Sequence, residues 1–459
     1  MRSFPTQTGL AIVAVGALLA GARLVAPTVK GPDPAQLEAI VNFEPDRVPL
    51  SPVSRRVEPE PVLAPKVKGA VRSQLLDDSN GGLDLFYRAL WETEKHEPGA
   101  ITRISHYGDS PTTADLITGD IRTQLQQRYG DAGHGFILID KPWAWYQHAG
   151  VQLTASGWQA MGATHFQTRD GLYGLGGVSF TGTAGDTSQF VYSSGQSNFE
   201  IWFLKQPNGG SFTVSADGKE LGRVETAADE RAAGFAPFQV ETSARRLDLR
   251  VDRGSVRLFG VIAEKNGPGV VYDSLGLNGA SITVLSHMFN EAHWTEQLAH
   301  RKPHLVVINY GTNEADFDAF VDHQYEGELR EAIRRVRAAL PESSILIMSP
   351  MDRGHRAAGG AIETMPTIPR IVALQERVAQ ETGCGFFDTF TAMGGTGTMA
   401  RWYNDQPRLV SADFIHPYPA GGKKIATIFT KEVTEGMSRY KLRQMQPSQA
   451  KNRGGGAVR

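Results

Sequence analysis

Three residues in two short strings carry side chains that could together transfer an acyl group. Ser110 follows a Gly-Asp pair and precedes a proline, and Asp413 and His416 stand three positions apart near the C-terminus. A serine hydroxyl becomes a nucleophile when a base takes its proton, and a histidine base needs a third group to orient its ring. A loop with Asp-x-x-His can present the carboxylate to one imidazole nitrogen and leave the other nitrogen facing a serine.

Two further strings could stabilise the negative charge that develops during acyl transfer. The apolar segment His304–Tyr310 runs directly into Gly-Thr-Asn-Glu, so Asn313 stands at a strand end, where its amide can face a developing oxyanion. Gly279 lies in a second glycine-containing turn, within Leu275–Ser281, and its N–H is accessible because no Cβ crowds it.

Each string, taken alone, also has a purely structural interpretation. A serine before a proline is typical of a helix N-cap, and an Asp-x-x-His string is found in ordinary surface loops. Asn313 is typical of a turn that opens a loop, and Gly279 of a strand-to-helix turn. The catalytic interpretation therefore depends on whether the fold brings the four strings together.

The elements around these strings alternate between short apolar strands and amphipathic helices. Strands are predicted at Ile101–Gly108, His304–Tyr310, Ser344–Ser349 and Gly385–Asp388, and helices at Pro111–Tyr129, Ile282–Arg301, Tyr325–Leu340, Ile368–Thr382 and Ala420–Tyr440. This alternation predicts a parallel sheet covered by helices on both faces. Such sheets bind ligands at the carboxyl ends of their strands, which is where Ser110 and Asn313 would stand.

The segment 143–267 has a different texture. It is rich in Gly, Ser, Thr and aromatic residues, and apolar and polar side chains alternate in it, as in Phe199–Leu204. Turn signals such as Pro-Asn-Gly-Gly at 207–210 divide it into short runs. We therefore expect an all-β sandwich inserted into the α/β domain, whose two parts are residues 69–142 and 268–440.

Taken in order, the four strings resemble the blocks of the SGNH (GDSL) hydrolase family, and the joint pattern is far more specific than any single string. The resemblance implies a flavodoxin-like, three-layer α/β domain. It makes Ser110 the nucleophile, His416 the general base and Asp413 the orienting residue. It also implies an oxyanion hole formed by the N–H groups of Ser110 and Gly279 and by the side chain of Asn313.

Three longer segments, Gly108–Arg122, Gly130–Phe136 and Val271–Ala280, are similar to bacterial peptidoglycan O-acetylesterases. The resemblance implies an exported enzyme with a β-rich, carbohydrate-binding-like module between the first two blocks, which would be 143–267. Pro111 departs from the pattern, because the esterases are expected to have histidine after the nucleophile. The identity of the substrate is therefore less firmly indicated than the chemistry.

The function implied by the resemblance is removal of O-acetyl groups from a cell-envelope polysaccharide, above all peptidoglycan, without a cofactor. A polysaccharide O-acetyltransferase using the same site and a non-catalytic polysaccharide-binding protein are the alternatives. Intact Ser110, Asp413, His416 and Asn313 argue against a pure binding protein, which has no need of all four. The scattered histidines show no metal-ligand spacing, so we expect no metal site.

Composition limits the classes of partner. The formal net charge of −2 and the pI near 6.7 give no electrostatic reason to expect nucleic acid. The single cysteine, Cys384, excludes a disulfide within the chain. The expected partner is an acetylated polysaccharide substrate.

The two termini bear on location. Residues 1–26 contain an apolar run of signal-peptide length, so we expect an extracytoplasmic protein, periplasmic or secreted. Anchoring in a membrane through residues 9–26 is the alternative to cleavage. Residues 27–68 are rich in proline and are expected to form an extended linker. Residues 441–459 are expected to be a disordered tail.

Overall fold

The computed structural model describes residues 75–445. The expected signal segment or anchor, 1–26, and the expected linker, 27–68, lie outside the described residues, as does the part of the expected tail from 446 to 459. In chain order the elements are β1 (Leu76–Asp77), α1 (Asp84–Glu94), β2 (Ile101–Gly108), α2 (Ser110–Thr113), α3 (Thr118–Tyr129), β3 (Gly133–Ile137), β4 (Val151–Ser156), β5 (Gln159–Gly162), β6 (Val178–Thr183), β7 (Thr187–Lys205), β8 (Ser211–Ala216), β9 (Lys219–Glu225), β10 (Ala232–Arg253), β11 (Ser255–Glu264), β12 (Gly269–Gly276), a π-helix (Val284–Met288), α4 (Glu291–Arg301), β13 (Leu305–Asn309), a 3₁₀-helix (Glu314–Asp316), α5 (Asp318–His323), α6 (Tyr325–Ala339), β14 (Ser344–Met348), β15 (Gly354–Arg356), β16 (Ile362–Thr364), α7 (Thr367–Thr382), β17 (Gly385–Phe387), α8 (Thr389–Ala392), α9 (Thr398–Asn404) and α10 (Pro419–Met445).

Within the described part of the chain, a six-stranded sheet holds the strands that the alternating pattern predicts. Its order is β1-β17-β14-β13-β2-β12, and every neighbouring pair is parallel except β1 with β17. Numbered along the chain from β2, the five parallel strands lie in the order 2-1-3-4-5, which is the flavodoxin-like arrangement. The predicted α/β fold with a largely parallel sheet is confirmed.

Successive residues of the central strands face opposite layers of helices, as the pleat of a strand requires. On β13, Val307 packs in the layer that includes α1, α3 and α10. Its neighbour Ile308 packs in the layer that includes α4, α6 and α7. Both faces of the sheet are therefore buried, which explains why these strands read as continuous apolar runs.

Two predicted helices are interrupted. The segment Pro111–Tyr129 forms the single turn α2 and the longer α3, because Asp115 between them adopts a left-handed conformation with φ of 53°. The segment Ile282–Arg301 forms the π-helix and then α4, which Asn290 caps by accepting a hydrogen bond from the N–H of His293 at 3.1 Å.

The final helix is longer than predicted. α10 continues to Met445, so the first five residues of the expected disordered tail, 441–445, are helical. The reason is tertiary: Lys441 pairs with Glu94 and Arg443 pairs with Asp84, both on α1. Among residues 75–445 no helix combines the length and the apolar character needed to cross a bilayer.

The β-rich insertion forms a separate antiparallel sheet, and it begins earlier than predicted. Strand β3 pairs with β11, with Ile137 opposite Val261, although β3 falls within 69–142, the first part of the expected α/β domain. Two of the five residues of β3 are glycines, so the strand lacks the alternation of apolar and polar side chains that predicts a β-strand. Among the described residues, nine strands make one hydrogen-bonded network that includes the long β7 and β10, and the pairing of these two strands shifts register between Gln239 and Arg246. The expected sandwich arrangement stays a prediction. The carbohydrate-binding character of this region stays a prediction.

A buried ionic network joins the two sheets. Asp273, on β12, accepts hydrogen bonds from Arg301 at 2.8 Å, from the hydroxyl of Ser105 at 2.9 Å and from the N–H of Phe136 at 2.9 Å. Arg301 also pairs with Glu264, on β11, at 2.6 Å. Because every charge in the network has an opposite partner, the cost of removing these groups from water is offset.

The glycine-rich segment Gly130–Phe136 has a structural role at this junction. Gly135 has a φ of 76°, and a Cβ at this position would collide with the carboxylate of Asp273. Only glycine therefore allows β3 to approach β12 closely enough for the Phe136–Asp273 hydrogen bond.

Buried histidine makes the stability of the fold depend on pH. His106, on β2, is 1% exposed, and burial lowers its pKa to about 4. Below pH 6.5 the unfolded chain therefore binds a proton that the folded chain does not, so stability falls as the pH falls from 6.5 towards 4.

We expect the His106→Gln variant to lose less free energy of unfolding than the wild type between pH 7 and pH 4.5, by on the order of 2 kcal/mol. Denaturant unfolding at the two pH values measures this difference. His323→Gln, at an exposed histidine, is the matched control and should follow the wild type. Equal pH dependence in His106→Gln and the wild type would contradict the prediction.

Candidate active site

Ser110 stands at the carboxyl end of β2, which lies between β13 and β12 in the sheet. This position is the topological switch point of the 2-1-3-4-5 order, where open α/β sheets bind ligands. Ser110 is the first residue of α2 rather than its expected N-cap. Asp109 takes the N-cap position, because its carbonyl accepts the N–H groups of Thr112 and Thr113 at 3.1 and 3.0 Å.

The structure brings the three residues of the predicted triad into one hydrogen-bonded chain. The Oγ atom of Ser110 lies 2.7 Å from Nε2 of His416. The other ring nitrogen of His416, Nδ1, lies 2.7 Å from Oδ2 of Asp413. With Nδ1 donating to the carboxylate, Nε2 is free to accept the serine proton, which is the arrangement that a general base requires.

Asp413 is held in place by its own loop. Its Oδ1 atom accepts the N–H groups of Ile415 at 2.9 Å and His416 at 3.0 Å, and the hydroxyl of Ser411. Burial alone would raise the pKa of Asp413, but the hydrogen bonds, led by those from Ser411 and His416, outweigh it and lower the pKa to about 2. The carboxylate therefore stays ionised and oriented towards the imidazole at neutral pH.

A left-handed residue shapes this loop. Phe414, between Asp413 and His416, has a φ of 59°, which is unfavourable for a bulky side chain. Its ring is buried, with its centroid 4.9 Å from the centroid of the Tyr403 ring. Its carbonyl accepts a hydrogen bond from the N–H of Gly354 at 2.9 Å. The surrounding packing therefore maintains a turn that places His416 next to Ser110. The Asp-x-x-His pattern in the sequence does not predict this turn.

The two loops with the predicted oxyanion donors are anchored beside the nucleophile. The N–H of Leu277 donates to the carbonyl of Gly108 at 3.0 Å, and Asn309, at the end of β13, lies opposite Gly108 in the sheet. Asn313 donates through Nδ2 to the carbonyl of Ala280 at 2.7 Å, which leaves its second amide hydrogen for another acceptor. All four sequence strings therefore meet at one edge of the sheet.

Gly279 has the accessible backbone that its residue type predicts. Its φ is 69°, the space where a Cβ would stand is open, and among the described residues its N–H has no hydrogen-bond partner. A side chain here would impose a strained backbone, so glycine fits the position for conformational reasons as well as for access.

Two buried carboxyl groups near the nucleophile had no predicted role. Burial raises the pKa of Asp109 to about 6, against the lowering effects of Thr312 and the charge of His416. Burial also raises the pKa of Glu314 to about 7, helped by the nearby charge of Asp109. The only sequence feature that could have pointed to these two carboxyl groups is their position, because Asp109 directly precedes Ser110 and Glu314 directly follows Asn313.

The triad is open to solvent. The side chains of His416 and Asp413 are 40% and 45% exposed. Within residues 75–445 no three His, Cys, Asp or Glu side chains come together as ligands for a metal ion. The arrangement holds a nucleophile, a base, an orienting carboxylate and a set of hydrogen-bond donors.

Residues 241–424 match the GDSL-like lipase/acylhydrolase family. The matched segment spans 184 residues, under half of the chain, and contains Gly279, Asn313, Asp413 and His416. Ser110 lies outside it, on the other side of the inserted sheet. No curated protein matches the chain.

Among solved structures, a peptidoglycan O-acetylesterase is similar to this chain at 23% identity, with a TM-score of 0.67, over 80% of this chain and 99% of that one. The match covers more of this chain than the α/β part alone could supply. The residues outside the antiparallel sheet, 75–132 and 269–445, number 58 and 177, which is only about half of the 459 residues. The shared fold therefore includes much of the antiparallel sheet.

Two other solved structures are more distant. A Bacillus subtilis protein is 14% identical, with a TM-score of 0.31, over 62% of this chain and 90% of its own. A family two carbohydrate esterase from Clostridium thermocellum, in complex with cellohexaose, is 12% identical, with a TM-score of 0.28, over 62% of this chain and 99% of its own.

We expect Asp413→Asn to lower kcat for a small aryl acetate by on the order of 10⁴, because an amide at this position favours the wrong tautomer of His416. Initial rates by absorbance measure the loss, with Ser110→Ala as the inactive reference. Asp405→Asn, at an exposed carboxylate after α9, is the matched control and should keep wild-type kcat. An Asp413→Asn variant within tenfold of wild-type kcat would show that the carboxylate does not orient the base.

Proposed function

We propose that this chain, a carboxylic ester hydrolase with a GDSL-like lipase/acylhydrolase segment, removes O-acetyl groups from a cell-envelope polysaccharide, with peptidoglycan as the foremost substrate. The observation that carries the proposal is the hydrogen-bonded chain from Ser110 through His416 to Asp413. It stands at the ligand-binding edge of the parallel sheet and is open to solvent.

The proposed reaction has two acyl-transfer steps. Ser110 Oγ attacks the acetyl carbonyl while Nε2 of His416 takes its proton. The N–H groups of Ser110 and Gly279 and the amide of Asn313 receive the oxyanion. Collapse of the tetrahedral intermediate breaks the ester bond, and His416 gives its proton to the departing sugar oxygen. Water, deprotonated by His416, then releases acetate and restores Ser110.

The exposure of the triad supports a polymeric substrate. A glycan chain is far larger than a closed pocket, so an esterase that acts on it needs its nucleophile at an accessible surface. With His416 40% exposed, water also has direct access to the acyl-enzyme. This access favours hydrolysis over the alternative, transfer of the acetyl group to a second sugar, which requires exclusion of water.

Exposed aromatic side chains near the site support a sugar ligand. Phe317 and Tyr418 are 63% and 44% exposed, and they follow Asn313 by four residues and His416 by two. Phe166 is 70% exposed and lies two residues after Thr164. The hydroxyl of Thr164 donates to the carbonyl of Asn278, the residue before Gly279, at 2.7 Å. Aromatic rings with one polar edge or an open face suit the apolar faces of pyranose rings.

Peptidoglycan is favoured over other acetylated glycans by the segments that resemble peptidoglycan O-acetylesterases, and by a fold shared with a solved enzyme of that name.

We further propose that the protein acts outside the cytoplasm. The support for this location is the apolar run at 9–22, with the proline-rich stretch 27–68 as the spacer before the enzyme.

We expect the whole chain to release acetate from O-acetylated peptidoglycan, and the Ser110→Ala variant to release none. Acetylated xylan is assayed in parallel, with free acetate measured by an enzyme-coupled assay. Release from xylan alone would keep the mechanism and reject the peptidoglycan substrate. No release from either polymer, with acetyl transfer to an added glycan acceptor, would support the transferase instead.

Loss of an aromatic face should affect the polymer more than a small ester. We expect Phe166→Ala to lower kcat/KM for the acetylated glycan by about three- to tenfold, the effect of about 0.5–1.5 kcal/mol of ring contact, with an aryl acetate unaffected. Leu442→Ala, at a side chain 62% exposed near the end of α10, is the matched control. An equal loss on both esters, or none on the glycan, would show that Phe166 does not contact sugar.

A further inference from the structure

The two loops with the oxyanion donors come from strands that are not neighbours. Gly279 follows β12 and Asn313 follows β13, and β2 lies between these strands in the sheet. Strands two places apart are separated by about 9–10 Å. The ladder hydrogen bonds of the sheet end before the donors, so contacts between the loops must set the distance between the donors.

The carboxylate of Glu314 makes such a contact. Oε1 accepts the N–H of Ile282 at 2.7 Å, in the segment after Gly279. Oε2 accepts the N–H of Gly311 at 3.0 Å, two residues before Asn313. One side chain therefore ties together the backbones of both donor loops, in addition to the bond from Asn313 to Ala280.

The setting of Glu314 is unusual for a group that serves stability alone. Its side chain is 2% exposed, and among the described residues no Lys, Arg or His forms an ion pair with it. A buried carboxyl without a cation contributes little net stability, because desolvation costs about as much as the hydrogen bonds supply. Burial raises the pKa of Glu314 to about 7, a displacement that is typical of groups at functional sites.

We propose that Glu314 is a positioning residue for ester hydrolysis, which sets the separation of the Gly279 N–H and the Asn313 amide by holding their two loops together. The inference rests on the proposed function at Ser110. Glu314 touches neither the substrate nor the nucleophile. Its effect is on the geometry that the transition state meets, so it acts on kcat rather than on KM.

The substitution Glu314→Gln tests this directly. Glutamine has the same size, but one of its two terminal atoms is an NH₂ group that cannot accept an N–H. One of the two loops is therefore released while the volume stays filled. Asp388→Asn is the matched control, because Asp388 is also a largely buried carboxylate that accepts a backbone N–H, from Thr391 at 2.9 Å, at the end of β17.

The assay uses the whole chain and a small aryl acetate, with active sites counted by exhaustive labelling of Ser110 with a fluorophosphonate. We expect kcat per labelled site to fall at least tenfold in Glu314→Gln, with KM within threefold of wild type and Asp388→Asn unchanged. A smaller fall in kcat, a parallel change in KM, or an equal loss in Asp388→Asn would overturn the proposal.

If Glu314→Gln has no site that can be labelled, Glu314→Asp decides by the same criterion, because its shorter carboxylate cannot span both loops. A wild-type chain that neither hydrolyses the ester nor reacts with the fluorophosphonate rejects the proposed function and this inference together. An active wild type with an unaffected Glu314→Gln variant rejects the inference alone.

Discussion

The rest of the architecture depends on the ion pair and hydrogen bonds made by the buried carboxylate of Asp273. It holds Arg301 at the end of α4, Ser105 on β2 and the backbone of Phe136 on β3, and Arg301 in turn holds Glu264 on β11. Loss of one partner from a buried network of this kind leaves an uncompensated charge and costs about 3–5 kcal/mol. The contacts join the strands that end at the candidate active site to the antiparallel sheet, so the two sheets share one buried ionic network.

The site itself is assembled from several loops at one edge of the parallel sheet. Ser110, Gly279 and Asn313 follow three strands of the parallel sheet, while Asp413 and His416 come from a loop that packs against the hairpin β15–β16 through Phe414. The left-handed backbone of Phe414 and the desolvated carboxyl of Glu314 are both unfavourable in isolation. The surrounding core maintains them, which is how a solvent-exposed triad keeps a defined geometry.

Sequence patterns predicted the parts of this structure that depend on local periodicity. The apolar strands and the α/β fold class follow from alternation, and the positions of Ser110 and Asn313 from the rule that sites lie at carboxyl strand ends. The convergence of the Ser110 and His416 strings was expected only from the resemblance to SGNH hydrolases. The break at Asp115 was missed because a left-handed residue in a polar segment has no periodic signal. Glu314 was missed because its role depends on neighbours brought together only by the sheet order 2-1-3-4-5.

The insertion between β2 and β12 also lengthens the loop that must close for β2 to pair with its neighbours. Both neighbours of β2 in the sheet, β12 and β13, lie more than 130 residues further along the chain, beyond the whole antiparallel sheet. Closing a loop of that length in a flexible chain is slow and entropically unfavourable. Pairing of β3 with β11, and of Asp131 with Val270, shortens the loop by bringing its two ends together. In the folded antiparallel sheet the two ends of this long segment lie side by side, so the inserted residues also serve to bring β12 to β2.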